Sequence, residues 1–223
     1  MRPFWIGVPV VLLAACAHAS APAPSATPTK SAAPNATVNP ANIKRVVGAL
    51  PPHYEVTTGV PSGLTPRVVW SLQADATAKP PQCATLADPG NGGDQSAQGF
   101  SGSGTGGIVD AVVVTLPGPV DLDQVVVTAC GRWTMSDGHT TASVRLVNAP
   151  HIDGVATLGM VADTKSSVES GTEIDSRTYT FTAYLGNYCA FTTLTTDPGS
   201  ALPALPPQFA ADLLVKTVST LRG

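Results

Sequence analysis

The chain has 223 residues, of which 43% are hydrophobic, 12% charged and 5% aromatic, with 21 Gly, 21 Pro, 4 Cys and a formal charge of −3. These values predict one domain with extra segments and exclude a coiled coil, a membrane bundle and disorder throughout, because net charge is low and Val and Leu suffice for a core. With 12 basic against 15 acidic side chains and no Lys/Arg cluster, the surface argues against a nucleic-acid partner and against electrostatic docking to anionic lipid.

At the N-terminus, Arg2 precedes an apolar run from Phe4 to Ala15, the layout of an export signal. As a helix that run is roughly 20 Å long at about 1.5 Å per residue. A bilayer core needs about 30 Å, so residues 1–15 are expected to be a cleaved leader. Leu13-Ala14-Ala15-Cys16 resembles the bacterial lipobox, which implies diacylglycerol on the Cys16 sulfur and cleavage between Ala15 and Cys16. Acyl chains at about 0.8 kcal/mol per buried CH₂ would then hold the protein on a membrane. The expected location is the outer face of the cytoplasmic membrane, facing the cell envelope. Residues 16–38 read as a tether rich in Ala, Pro, Ser and Thr, in which Pro22, Pro24, Pro28 and Pro34 interrupt both helix and sheet. At about 3.1 Å per residue it spans at most roughly 70 Å.

Residues 39–223 are expected to fold as one domain. Asn39 suits an N-cap and Pro40 a first helical position, and Ile43, Val46, Val47 and Leu50 follow at helical spacing up to Pro51-Pro52. Tyr54 to Thr57 reads as a strand. One or two helical turns over Pro80 to Leu86 would position Cys83, and Asp88-Pro89-Gly90 and Gly92-Gly93 make a loop. Gly99 to Gly107 reads as flexible or closely packed backbone. Ile108 to Leu116, rich in Val and bounded by Gly107 and Pro117, is the clearest strand. Pro119 to Cys130 fits strand by propensity and helix by its face, with helix preferred.

Trp133 and Met135 precede a hairpin turn at Asp137-Gly138, after which Ala142, Val144 and Leu146 alternate. Strands are expected over Val155 to Thr164 and Thr172 to Leu185, then a tight turn at Gly186-Asn187 into Tyr188 to Thr195. Pro207 to Leu221 carries Phe209, Leu213, Leu214, Val218 and Leu221 on one face of a closing helix. Terminal helices around hairpin-linked strands predict an α+β fold with an antiparallel sheet.

Five segments are distinctive together: Leu50-Pro51-Pro52-His53-Tyr54-Glu55-Val56, Pro80-Pro81-Gln82-Cys83, Gly99-Phe100-Ser101-Gly102-Ser103-Gly104, Ala129-Cys130-Gly131-Arg132-Trp133 and Leu213-Leu214-Val215-Lys216-Thr217-Val218. They resemble a family of mycobacterial lipoproteins with a C-terminal domain of unknown function and, more distantly, the extracellular sensor domain of the PknH-type receptor kinase. The resemblance implies a bent antiparallel β-sheet with helices packed on one face, and a cleft. The sensor-domain relatives carry two disulfides. Here only Cys83, Cys130 and Cys189 remain once Cys16 is acylated, so at most one bridge can form within the domain, with three pairings open. Cys83 with Cys130 is preferred, since both lie in family-like segments and at the expected ends of short helices. Cys189, opposite Tyr184 if the Gly186-Asn187 loop is two residues long, then reads as a buried thiol.

Motifs for chemistry are weak. The glycine-rich run lacks the Gly-Lys-Ser/Thr of a phosphate loop, and neither Ser101 nor Ser103 fits a nucleophile elbow. His18, His53, His139 and His151 have no metal-ligand spacing. Glu169, Glu173 and Asp175 near Arg177 read as ordinary loop charges before any acid–base pair. Trp70 and Trp133 are candidate cleft aromatics, with core the commoner fate of such residues. The expectation is therefore a lipid-anchored, non-enzymatic ligand-binding or sensor-like module with no cofactor, no metal and no catalytic residue. Its partner would be an unidentified small molecule or protein, and the alternative is a carrier of envelope lipids with an apolar cavity.

Overall fold

A computed structural model describes residues 37–92, 95–168 and 171–223. The expected leader, Cys16, His18, the tether as far as residue 36, and Glu169 lie outside the described residues.

The domain begins with a 3₁₀ helix, Pro40–Ala49, whose N-cap Asn39 accepts from the Ala41 amide through its side chain. It is followed by β1 (Glu55–Thr58), α1 (Pro66–Val69), β2 (Thr77–Lys79), a 3₁₀ turn at Pro81–Cys83 and α2 (Ala84–Ala87). Next come β3 (Ser96–Gly104), β4 (Gly107–Thr115), α3 (Gln124–Ala129), β5 (Arg132–Ser136) and β6 (Thr140–Val147). β7 (Ala156–Ser167), β8 (Glu173–Tyr184), β9 (Tyr188–Thr196) and α4 (Pro207–Arg222) complete the domain. The described strands form one nine-stranded sheet in the order β1-β3-β4-β9-β8-β7-β6-β5-β2, with every pairing antiparallel. This is the expected α+β architecture.

Alternation along the central strands assigns the two faces. Val109, Ala111 and Val113 of β4, Phe181 and Ala183 of β8 and Ala190 and Leu194 of β9 pack against Ile43 and Val46 of the 3₁₀ helix and against Leu213, Leu214, Val218 and Leu221 of α4. The two longer helices thus share one face, the helix face. Thr192, also on it, satisfies its buried hydroxyl by donating to the Ala210 carbonyl at 2.7 Å. On the opposite face, Val112, Val114, Cys189 and Phe191 pack with Leu64. Farther along that face, Met135, Val144, Leu158 and Met160 pack with Trp70, Cys83, Leu86 and Cys130, so the short helical turns cover part of it.

The glycine-rich run is closely packed backbone: as far as Gly104 it is strand β3, because β1 and β4 pair with it on both sides. Its glycines admit neighbours: a Cβ at Gly102 would run into Leu50, and one at Gly104 into the Tyr54 ring. α3 confirms the helical preference for its segment, with Asp123 as N-cap accepting from the amides of Val125 and Val126. It is a short helix of 6 residues that buries none of them, and Val125 stands 78% exposed.

Candidate functional site

From Ile108 to Val114, β4 is apolar on both faces except at Asp110, which alternation turns to the face opposite α4. There it stands in a polar row across four strands. Ser101 of β3 lies directly opposite it on one side, Thr193 of β9 on the other, and Thr180 of β8 lies beyond Thr193. Thr193 donates its hydroxyl to Asp110 Oδ2 at 2.6 Å, and Ser101 hydrogen-bonds the same carboxyl. Asp110 is 7% exposed, and no described Lys, Arg or His pairs with it. Burial pushes its pKa above the ordinary carboxylate value, against the two hydroxyl bonds that pull it down.

The chain between β1 and β2 crosses above this row. Together with the sheet it lines a solvent-open cleft of about 400 Å³, with Val60, Pro61, Leu64, Val69 and Ile108 on its apolar side and Thr57, Ser71, Ser101, Asp110 and Thr195 on its polar side. The path of this roof is set locally. α1 ends in a Schellman motif, in which the Leu72 amide bonds the Arg67 carbonyl and the Ser71 amide bonds the Val68 carbonyl. Ser71 takes the left-handed position with φ 62°, which costs a non-glycine residue about 1–2 kcal/mol. Three ties then hold the segment down. Arg67 donates to the Ala74 carbonyl at 2.8 Å and pairs with Asp88 at 3.1 Å. The Trp70 indole N–H donates to Thr180 Oγ1 at 3.0 Å, and the Gln73 amide donates to Asp137 Oδ2 at 2.8 Å.

A second cavity, of about 590 Å³, adjoins the first through Ile108 and Thr195, which line both. It lies beyond the end of β9 and is lined by Glu173, Asp175 and Asp197 together with Ile174 and Leu202. Lys165 reaches Asp175 at 3.4 Å and Glu173 at 3.7 Å, while Arg177 pairs instead with Asp163 at 2.5 Å. Glu173 and Asp175 are therefore ion-paired at the exposed start of β8, unlike Asp110.

Trp70 and Trp133 are not cleft aromatics. They are 1% and 4% exposed, in the core between the sheet and the short helices, and line neither cavity. An indole buries too much apolar surface to be left at an opening when a core site is within reach. Trp70 serves the site indirectly, through its bond to Thr180. Cys83 and Cys130 are joined in a disulfide with Cα atoms 5.7 Å apart, linking the turn before α2 to the end of α3. Cys189 is a free, buried thiol opposite Tyr184, and burial, with the Asp88 charge adding to it, pushes its pKa up to about 12. His151 pairs with Asp153 at 3.0 Å on the surface, and no group of metal-ligating side chains occurs among the described residues.

Asp110 was absent from the candidates drawn from sequence. The signal was present: a lone carboxylate inside a strand that is apolar on both faces must be buried.

Residues 39–222 match the model of a family described as "Domain of unknown function (DUF5642)". Among curated proteins, none matches. The chain is similar to the X-ray structure of an uncharacterized protein, the Rv0999 ortholog, from Mycobacterium smegmatis. That likeness has a TM-score of 0.60 and 19% identity and covers 84% of this chain and 98% of the other. It is also similar to the extracellular domain of PknH from Mycobacterium tuberculosis, with a TM-score of 0.40, 14% identity and coverage of 82% and 91% respectively. Of the two, the former is close enough to show a shared fold. No described helix is long and apolar enough to cross a membrane.

Proposed function

The chain belongs to the DUF5642 family, and we propose that it is a lipid-anchored binding module of the bacterial envelope that holds a ligand, without turning it over, in the cleft above Asp110. One observation carries this reading: a carboxylate that is buried, without an ionic partner among the described residues, opens onto a cavity roofed by a segment with three separate ties. A buried charge left unpaired is costly to a fold. Sites of binding are where such costs are tolerated.

The lining offers hydroxyls and one carboxylate beside aliphatic walls, with no histidine next to Ser101, which supports recognition over hydrolysis. A volume of about 400 Å³ suits a small molecule better than the acyl chains of the carrier alternative. Anchoring rests on the lipobox-like Leu13-Ala14-Ala15-Cys16.

Native mass spectrometry of the full-length protein extracted from its own host tests the reading. A small molecule should co-purify and should be lost from a Ser101→Trp variant that fills the space over Asp110. An empty protein, or a ligand retained by that variant, would refute it. A co-purifying acyl lipid would move the assignment to lipid carriage.

A further inference from the structure

The cleft's lining narrows the chemistry of its ligand. We infer that the pocket above Asp110 is a site for a protonated primary amine on an aliphatic chain. The inference rests on the binding role proposed above.

The polar groups set the charge of the ligand. Asp110 offers a carboxylate that already accepts from Thr193 at 2.6 Å and from Ser101, and no described cationic side chain neutralises it. A neutral donor would leave that charge buried, whereas an ammonium removes the penalty and forms a charge-assisted hydrogen bond. Ammonium has three N–H donors. Three acceptors share the pocket wall: the Asp110 carboxylate and the hydroxyl oxygens of Ser101 and Thr195, on the adjacent strands β4, β3 and β9. The Thr195 and Thr178 hydroxyls share a hydrogen bond at 3.0 Å in which either can donate; a hydroxyl oxygen has two lone pairs, so Thr195 keeps one for the ligand in both cases.

The apolar groups set the body of the ligand. Val60, Pro61, Leu64, Val69 and Ile108 are all aliphatic. With no aromatic ring in the lining, the pocket lacks the cage that recognises quaternary ammonium and the platform on which a planar ring stacks. An unbranched or lightly branched alkyl chain matches these walls.

Such an ammonium belongs either to a free alkylamine or to a lysine side chain of a protein, and the experiment separates the two. Hexylammonium, the uncharged hexanol of similar shape, and an N-acetylated, C-amidated Ala-Lys-Ala peptide are titrated into the full-length protein while Ser101, Ile108 and Thr195 resonances are followed by NMR. Hexylammonium should shift these resonances saturably, and hexanol should bind about tenfold or more weakly. Asp110→Asn should weaken hexylammonium to the level of hexanol while its thermal melt stays cooperative. Tighter binding of the peptide would assign the amine to a protein partner, and tighter binding of hexylammonium to a free amine; either result supports the site. Equal binding of hexylammonium and hexanol to the wild-type protein, or no binding of either ammonium, would overturn the inference without the variant. The proposed binding role would survive that failure if a molecule extracted from the host still occupied the cleft, and would fall with it if none did.

Discussion

The indole N–H of Trp70 lies 3.0 Å from the hydroxyl oxygen of Thr180, 110 residues later in the chain, and both groups are buried. This bond joins the end of the roof to the floor, because Thr180 sits one strand beyond Thr193 in the row that contains Asp110. Trp70→Phe keeps an aromatic ring but leaves the Thr180 hydroxyl without its donor. The expected cost is about 1–3 kcal/mol, read as a lower urea midpoint. An unchanged midpoint would show that the roof is held without it.

Ser71→Gly is expected to act in the opposite direction. Glycine takes φ 62° without a Cβ penalty, so stability should rise by about 1 kcal/mol. Ser71 also lines the cleft, and loss of its hydroxyl should weaken the co-purified ligand even as the melting temperature climbs. Stability and affinity moving together would argue that Ser71 has no part in binding.

The carboxyl of Asp110 gives stability a pH dependence of known sign. Its folded-state pKa lies above the ordinary value, mainly from burial, so the folded state holds the proton more tightly than the unfolded chain. The stabilisation is complete below the unfolded pKa and is lost as pH rises through the folded one. Asp110→Asn removes this dependence. Relative to the variant, wild-type protein should become more stable on acidification from neutral pH toward the carboxylate range, as read by melting temperature. A constant difference between the two proteins over that interval would contradict the burial effect.

Cysteine mapping separates two roles within the domain. Replacing Cys83 and Cys130 together by Ala should cost about 4 kcal/mol in the chain-entropy model, given their separation of 47 residues. Cys189, 1% exposed with its thiol pushed up to about 12, should resist alkylation in the native oxidised protein and react once denaturant is added. Rapid native labelling of Cys189 would show that the packing around Phe191 opens readily.

Anchoring is tested at Cys16. Radiolabelled palmitate should enter the wild-type protein expressed in its host and be absent from a Cys16→Ala variant, which should accumulate as precursor. Equal labelling of both proteins would disprove the lipobox assignment.

The parts of the fold that were legible in the sequence are those in which local pattern and tertiary environment agree. The apolar run from Ile108, the alternation of Tyr179, Phe181 and Ala183 and the helical spacing of Leu213, Leu214, Val218 and Leu221 each match the face that is buried. A two-residue loop at Gly186-Asn187 was enough to place Tyr184 opposite Cys189. Ser96–Gly104 was illegible as a strand because glycine has little β propensity; its conformation comes from pairing with β1 and β4, and its missing side chains make room for Leu50 and Tyr54. β2, three residues long, offers too little alternation to detect. The site was obscured for a different reason. Asp110 could be read as buried from its strand alone, but nothing near it reveals that residues 59–71 fold across it, and the left-handed turn at Ser71 that directs them carries no glycine to mark it.

The Asn39 amide donates to the Leu221 carbonyl at 2.8 Å, and the Asn42 side chain donates to the Thr220 carbonyl at 3.2 Å. These bonds clamp the first residues of the domain to its last helix, on the side of the sheet away from Asp110. A force applied at Asn39 would therefore load the bonds to Leu221 and Thr220 and the Ile43 and Val46 packing first. Asp110 and the cleft residues, on the reverse of the sheet, take no part in this clamp.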